Sequence, residues 1–98
     1  MLAKIHSMEG KQVLAVCDKE LIGKTLKTEK INFTVYESFY GGFPIDKKEL
    51  VELISENSNV NLVGKKCVST AQGKGLLNES SILFIGGVPH AQIFKLNL

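Results

Sequence analysis

At 98 residues, with 44% hydrophobic and 22% charged side chains, the chain fits one globular domain over residues 1–98 and neither a disordered nor a fibrous class. Its net charge of +2 decides little, but all 12 basic residues are lysine. Without arginine's planar fork, sequence reading in the DNA major groove is disfavoured, while a salt-sensitive RNA or ribosome contact through point charges stays open. No apolar run approaches the roughly 18–20 residues of a membrane span. The opening Met1-Leu2-Ala3-Lys4-Ile5-His6 meets a charge and a histidine too early for a secretory leader.

Residues 2–8 and 12–18 read as two strands, with Gly10 in the link to suit a hairpin turn. Cys17 ends the apolar run of the second strand. It has no close-spaced cysteine partner and reads, like Cys67, as a small buried hydrophobe kept reduced in the cytoplasm. Residues 19–30 are lysine-rich and read as an exposed loop with a short extended piece near Leu21-Ile22 or Thr25-Leu26.

Residues 31–36 alternate, with Ile31, Phe33 and Val35 on one face and Asn32, Thr34 and Tyr36 on the other, the pattern of a half-buried strand. The run Phe39-Tyr40-Gly41-Gly42-Phe43-Pro44 follows and reads as an ordered loop. Asp46 and Glu49 then make a capping box, and Leu50, Leu53 and Ile54 form the apolar stripe of a helix ending near Asn57. A second helix is expected after Asn61 as N-cap, with Val63, Cys67, Val68 and Ala71 inward and Gly75 as the terminating glycine. Ser81–Ile85 and Ala91–Phe94 read as strands around a turn at Gly86-Gly87-Val88-Pro89-His90. Strands, two helices and strands again predict an α+β fold: a small, mainly antiparallel sheet with two helices on one face, packed through Leu50, Leu53, Ile54, Val63, Cys67 and Ala71.

Several stretches together resemble a known family. They are Lys4-Ile5-His6, Val16-Cys17-Asp18, Leu21-Ile22-Gly23-Lys24-Thr25, Phe39-Tyr40-Gly41-Gly42, Asn61-Leu62-Val63-Gly64 and, most specific, Gly87-Val88-Pro89-His90-Ala91-Gln92-Ile93-Phe94. The chain is similar over nearly its whole length to the archaeal family catalogued as domain of unknown function 424. The resemblance implies an uncharacterised archaeal cytoplasmic protein, in the company of translation, and carries over no catalytic residue.

Four groups of residues are candidate sites, each beside a plainer account. Gly86, Gly87 and His90 can form an anion-binding nest with a proton donor, or simply a tight turn. Tyr40, Gly41 and Gly42 can offer an aromatic for base stacking; the plainer account puts Phe39 and Phe43 in the core and Tyr40 on the surface. Lys19, Lys24, Lys27 and Lys30, with Lys65 and Lys66, are either an RNA footprint or a solvated face. Cys17, Cys67, His6 and His90 have zinc-ligand chemistry but no close spacing, and no metal or other cofactor is expected. The Gly73-Lys74-Gly75 segment lacks the spacing of a phosphate loop, and no Gly-x-Ser-x-Gly elbow occurs. The expectation is a non-enzymatic module that binds RNA or the ribosome. The alternative is a ligand-binding or catalytic protein whose pocket is built from the Phe39–Phe43 and Gly86–His90 loops.

Overall fold

A computed structural model describes residues 1–96 of the chain. Strands β1 (Leu2–Met8) and β2 (Lys11–Cys17) form a hairpin in register from Leu2 opposite Cys17 to Met8 opposite Lys11. Its two-residue turn needs left-handed backbone at both positions, and Glu9 (φ 52°) and Gly10 (φ 77°) supply it. A one-turn helix (Lys19–Leu21) leads to a small separate hairpin of β3 (Thr25–Lys27) and β4 (Asn32–Thr34). Next come α1 (Glu37–Tyr40), β5 (Phe43–Pro44), α2 (Lys47–Glu56), β6 (Asn59–Val63), α3 (Lys65–Gly73), β7 (Ile82–Ile85) and β8 (Val88–Phe94).

Six strands make one sheet in the order β5-β1-β2-β6-β8-β7. All its pairings are antiparallel except β2 with β6, where Leu14 lies opposite Val60 and Cys17 opposite Val63. The fold is therefore α+β with a mostly antiparallel sheet.

Alternation along the strands gives each face its own core. On one face Ala3, Leu14, Val16, Val60, Leu62 and Ala91 pack with Leu50 and Ile54 of α2 and Cys67, Val68 and Ala71 of α3. On the other, Ala15, Cys17, Val63 and Ile85 are covered by Leu26 of β3, Val35 and Tyr40. The Asp46 capping box forms, with Asp46 Oδ1 accepting from Glu49 N–H at 2.8 Å and Glu49 Oε1 accepting from Asp46 N–H at 3.1 Å. Gly75 (φ 71°) closes α3 as expected: its N–H reaches the Gln72 carbonyl and that of Leu76 the Ala71 carbonyl.

Four local expectations need correction. Asn61 caps no helix; it lies in the middle of β6, because Val60, Leu62 and Val63 satisfy a buried strand better than a helix start. Val63 consequently faces the core opposite α2 and α3. The turn before β8 contains only Gly86 (φ 57°) and Gly87 (φ 80°), so Pro89 and His90 are strand residues. Pro89 is tolerated because, one step from a two-residue turn, its pairing with Phe84 is a non-hydrogen-bonded one that needs no N–H towards β7. Finally, the aromatic run after β4 folds as the single turn α1 before its glycines.

Candidate RNA-contacting face of the sheet

The face opposite α2 and α3 is only partly covered. Strand register sets its residues in rows. One row is Lys4, Ala15, Asn61 and Gln92, and the next is His6, Val13, Asn59 and Phe94. Amide side chains thus run down the centre of this face, with Gln92 Nε2 donating to Asn59 Oδ1 at 3.4 Å. The β3–β4 hairpin and α1 border the rows. Asn32, Phe33, Thr34, Tyr36, Phe39, Tyr40 and Asn61 line a hollow of about 310 Å³ there.

This rim is held by specific contacts. Tyr40 is 2% exposed, and its hydroxyl donates to Asn61 Oδ1 at 2.5 Å. Burial pushes the Tyr40 phenol pKa well up, so it remains a neutral donor. His6 stacks on Phe39 with ring centroids 4.7 Å apart, and its Nε2 donates to the Phe39 carbonyl at 2.8 Å. Phe39 meets Tyr40 edge-on at 4.9 Å. Lys4 Nζ donates to the Ser38 carbonyl at 2.9 Å, tying α1 to β1. Tyr36, by contrast, is 62% exposed at the lip of the hollow. Such a lip presents one free aromatic face above fixed amide groups, which suits a flat heteroaromatic ring.

The expected division of aromatics is thereby reversed. Tyr40 is a core residue, Phe39 is half-buried and Phe43 is exposed at the β5 edge. Gly42 is fixed by packing, since any side chain there would overlap the Ala3 carbonyl. Gly41 and Gly42 line a hollow with Leu2, Lys19, Ile22 and Glu37. Gly87 lines a different one, with Lys65, Val68 and Phe84 among its walls. The two glycine-pair loops stand at opposite edges of the six-stranded sheet, about 24 Å apart at ordinary strand spacing, so they do not build one pocket. His90 points to the same face as Asn61 but lies beneath Phe33, ring centroids 5.3 Å apart. Its Nε2 is buried without a hydrogen-bond partner, and burial holds its pKa below the usual histidine value.

All six lysines singled out in the sequence are exposed. Lys24, Lys27 and Lys30 belong to the β3–β4 excursion, and Lys24 is joined to the Tyr36 lip by its carbonyl, which accepts from Val35 N–H at 2.8 Å. Lys65 and Lys66 stand at the start of α3, on the helix side of the sheet. The β7–β8 turn lies between these groups: Gly86 packs on the Lys27 backbone, while Gly87 shares a hollow with Lys65. Lys19 stands apart, in the hollow of Gly41 and Gly42. Cys17 and Cys67 are both buried and free, in different core clusters. Among the described residues, no three histidine, cysteine, aspartate or glutamate side chains converge as metal ligands. Nor is any helix of the described residues long and apolar enough to cross a membrane.

Asn61 and Tyr36 were not singled out from the sequence as site residues. A signal existed, because Asn32, Thr34 and Tyr36 form the outward face of the alternating stretch and all three line the hollow. Asn61 had none, since its place depends on a strand pairing distant in sequence.

None of the curated proteins compared with the chain matches it. A crystal structure of an uncharacterized conserved protein from Methanopyrus kandleri is similar, with 29% sequence identity and a TM-score of 0.77 over 99% of this chain and 95% of that one. The model of the family described as "Protein of unknown function (DUF424)" matches residues 6–96. The chain belongs to that DUF424 family.

Proposed function

We propose that this is a non-enzymatic, cytoplasmic RNA-associated module of the archaeal translation machinery, contacting single-stranded RNA through the Tyr36 hollow and the lysines beside it. The observation that carries the reading is Tyr36, exposed over a hollow walled by Phe33, Phe39 and the amides of Asn32 and Asn61. A base stacked on Tyr36 places its edge against those amides, and the neighbouring Lys24, Lys27 and Lys30 neutralise phosphates. Two buried, unpaired cysteines suit a reducing compartment. The absence of arginine fits phosphate neutralisation without sequence reading.

The test is fluorescence anisotropy with labelled single-stranded RNA, and co-sedimentation with purified small ribosomal subunits, at low and at physiological salt. Binding should be salt-dependent, and Tyr36→Ala should weaken it by about 1–3 kcal/mol. No salt-dependent binding to either target would remove the proposal.

A further inference from the structure

The Tyr36 hollow holds one polar group whose direction is set by the fold. Tyr40 is buried, and among the described residues its hydroxyl has a single hydrogen-bond partner, Asn61 Oδ1 at 2.5 Å. A buried phenol needs an acceptor for its proton. Turning the Asn61 amide over would bring Nδ2 to that hydroxyl and leave the phenolic proton with none. Tyr40 therefore holds Oδ1 towards itself. The other end of the amide, Nδ2, has no partner among the described residues and is not buried. Asn61 lines the hollow, so the group it leaves for a ligand is an N–H donor that cannot change places with an acceptor.

The remaining polar side chains of the hollow carry no such bias. Asn32 is exposed, and its amide can turn either end to a ligand. Tyr36 at the lip and Thr34, bonded to Thr25 Oγ1 at 2.9 Å, are hydroxyls that can donate or accept.

From this asymmetry we infer, resting on the RNA reading above, that the hollow selects the keto bases uracil and guanine over the amino bases cytosine and adenine, with Asn61 as the discriminating residue and Tyr40 as the residue that positions it.

The direction of entry determines which edge of the base is read. Lys24, Lys27 and Lys30 stand on the β3–β4 excursion at the border of the hollow, whereas Asn61 lies in β6, inside the sheet. With phosphates held at the border the sugar stays outside, and the edge that reaches Asn61 is the one remote from the glycosidic bond. In uracil that edge carries O4 and in guanine O6, each of which accepts from Nδ2. In cytosine it carries the N4 amino group and in adenine the N6 amino group, which set donor against donor and leave both unpaired. Lysine contacts to phosphate are the same for every base, so they contribute affinity and leave the choice to the amide.

The experiment is fluorescence anisotropy with labelled oligouridylate and oligocytidylate of equal length, which carry the same charge. The wild type should bind the uridine oligomer roughly tenfold more tightly, the effect of one donor left unpaired. Tyr40→Phe keeps the ring in the core but frees the amide to turn, so most of that factor should disappear while the salt dependence stays. Asn61→Asp puts an acceptor where the donor was and should reverse the preference, whatever the added charge does to both affinities. Differences in stacking between the free oligomers are common to all three proteins and cancel in the comparison. Equal affinities in the wild type, with salt-dependent binding intact, overturn the inference and leave the RNA reading standing. No binding to either oligomer removes both. A uridine preference that is undiminished in Tyr40→Phe or in Asn61→Asp also overturns it. Circular dichroism of each variant checks that it remains folded.

Discussion

The carboxylate of Asp18, at the end of the strand next to β6, caps α3 and occupies the space that any side chain at Gly64 would fill. Its two oxygens accept from Lys66 N–H at 2.8 Å and Cys67 N–H at 3.0 Å. Gly64 has φ 122°, and an added Cβ would overlap Asp18 Cγ. Asp18 follows β2 and Gly64 follows β6, so the cap ties the central parallel pair to the helix above it. It also places a protein carboxylate where a helix would otherwise attract an anion.

Asp18→Ala leaves two amides near the helix start without their acceptor and should cost about 2–3 kcal/mol in urea denaturation. Gly64→Ala should cost at least as much, through both backbone strain and collision. The double variant should lose less than the sum, because the collision disappears with the carboxylate. Additive losses would show that the two residues act separately.

His90 should make stability pH-dependent. Burial lowers its folded-state pKa beneath the ordinary 6.5. Above 6.5 both folded and unfolded states hold it neutral, and its contribution is fully present. As pH falls below 6.5 the unfolded state takes up the proton first, so stability is lost down to the folded-state pKa. Equilibrium unfolding at about pH 7.5 and pH 5.5 should show a larger loss for the wild type than for His90→Leu. Parallel losses in the two proteins would contradict this.

Both thiols should be inert in the native protein. Burial, with the Asp18 carboxylate adding to it, pushes Cys17 up to about 11 and raises Cys67 as well. Neither forms appreciable thiolate at neutral pH. Thiol titration should therefore be slow without denaturant and prompt in it. Prompt labelling of either residue in the folded state would place it at a more open site than this fold gives it.

If RNA binds beside Tyr36, the lysines should govern its salt response. Replacing Lys24 and Lys27 by alanine should lower the log–log salt slope by about 0.7–0.9 for every phosphate that is no longer neutralised. Thermal stability should barely change, since both side chains are exposed. An unchanged slope with intact binding would move the RNA to another part of the protein surface.

Much of the architecture was legible because it rests on local signals. The β1–β2 hairpin, the Asp46–Glu49 box, the Leu50–Ile54 stripe and the Gly75 stop each sit within a few residues of the structure they specify. β6 was misread because Asn61 is a good N-cap in isolation, and the feature that overrides it is pairing with β2 and β8, far away in sequence. The true cap of α3 was invisible for the same reason, since Asp18 lies 48 residues from Lys66. The candidate site divides likewise: alternation put Tyr36 on the outward face without marking it as a site residue, whereas the burial of Tyr40 goes with its bond to Asn61.

The parallel joint between β2 and β6 also dictates the order of assembly. The β1–β2 and β7–β8 hairpins close over two-residue turns and can form early, but they share a sheet only once residues 14 and 60 have met. Closing that long loop should be the slow step of folding. Truncating Leu62, at the joint, should then mainly retard refolding, whereas loosening the outlying β7–β8 turn should mainly hasten unfolding. Stopped-flow chevrons of the two variants would distinguish this order from one in which the far hairpin forms first and templates the rest.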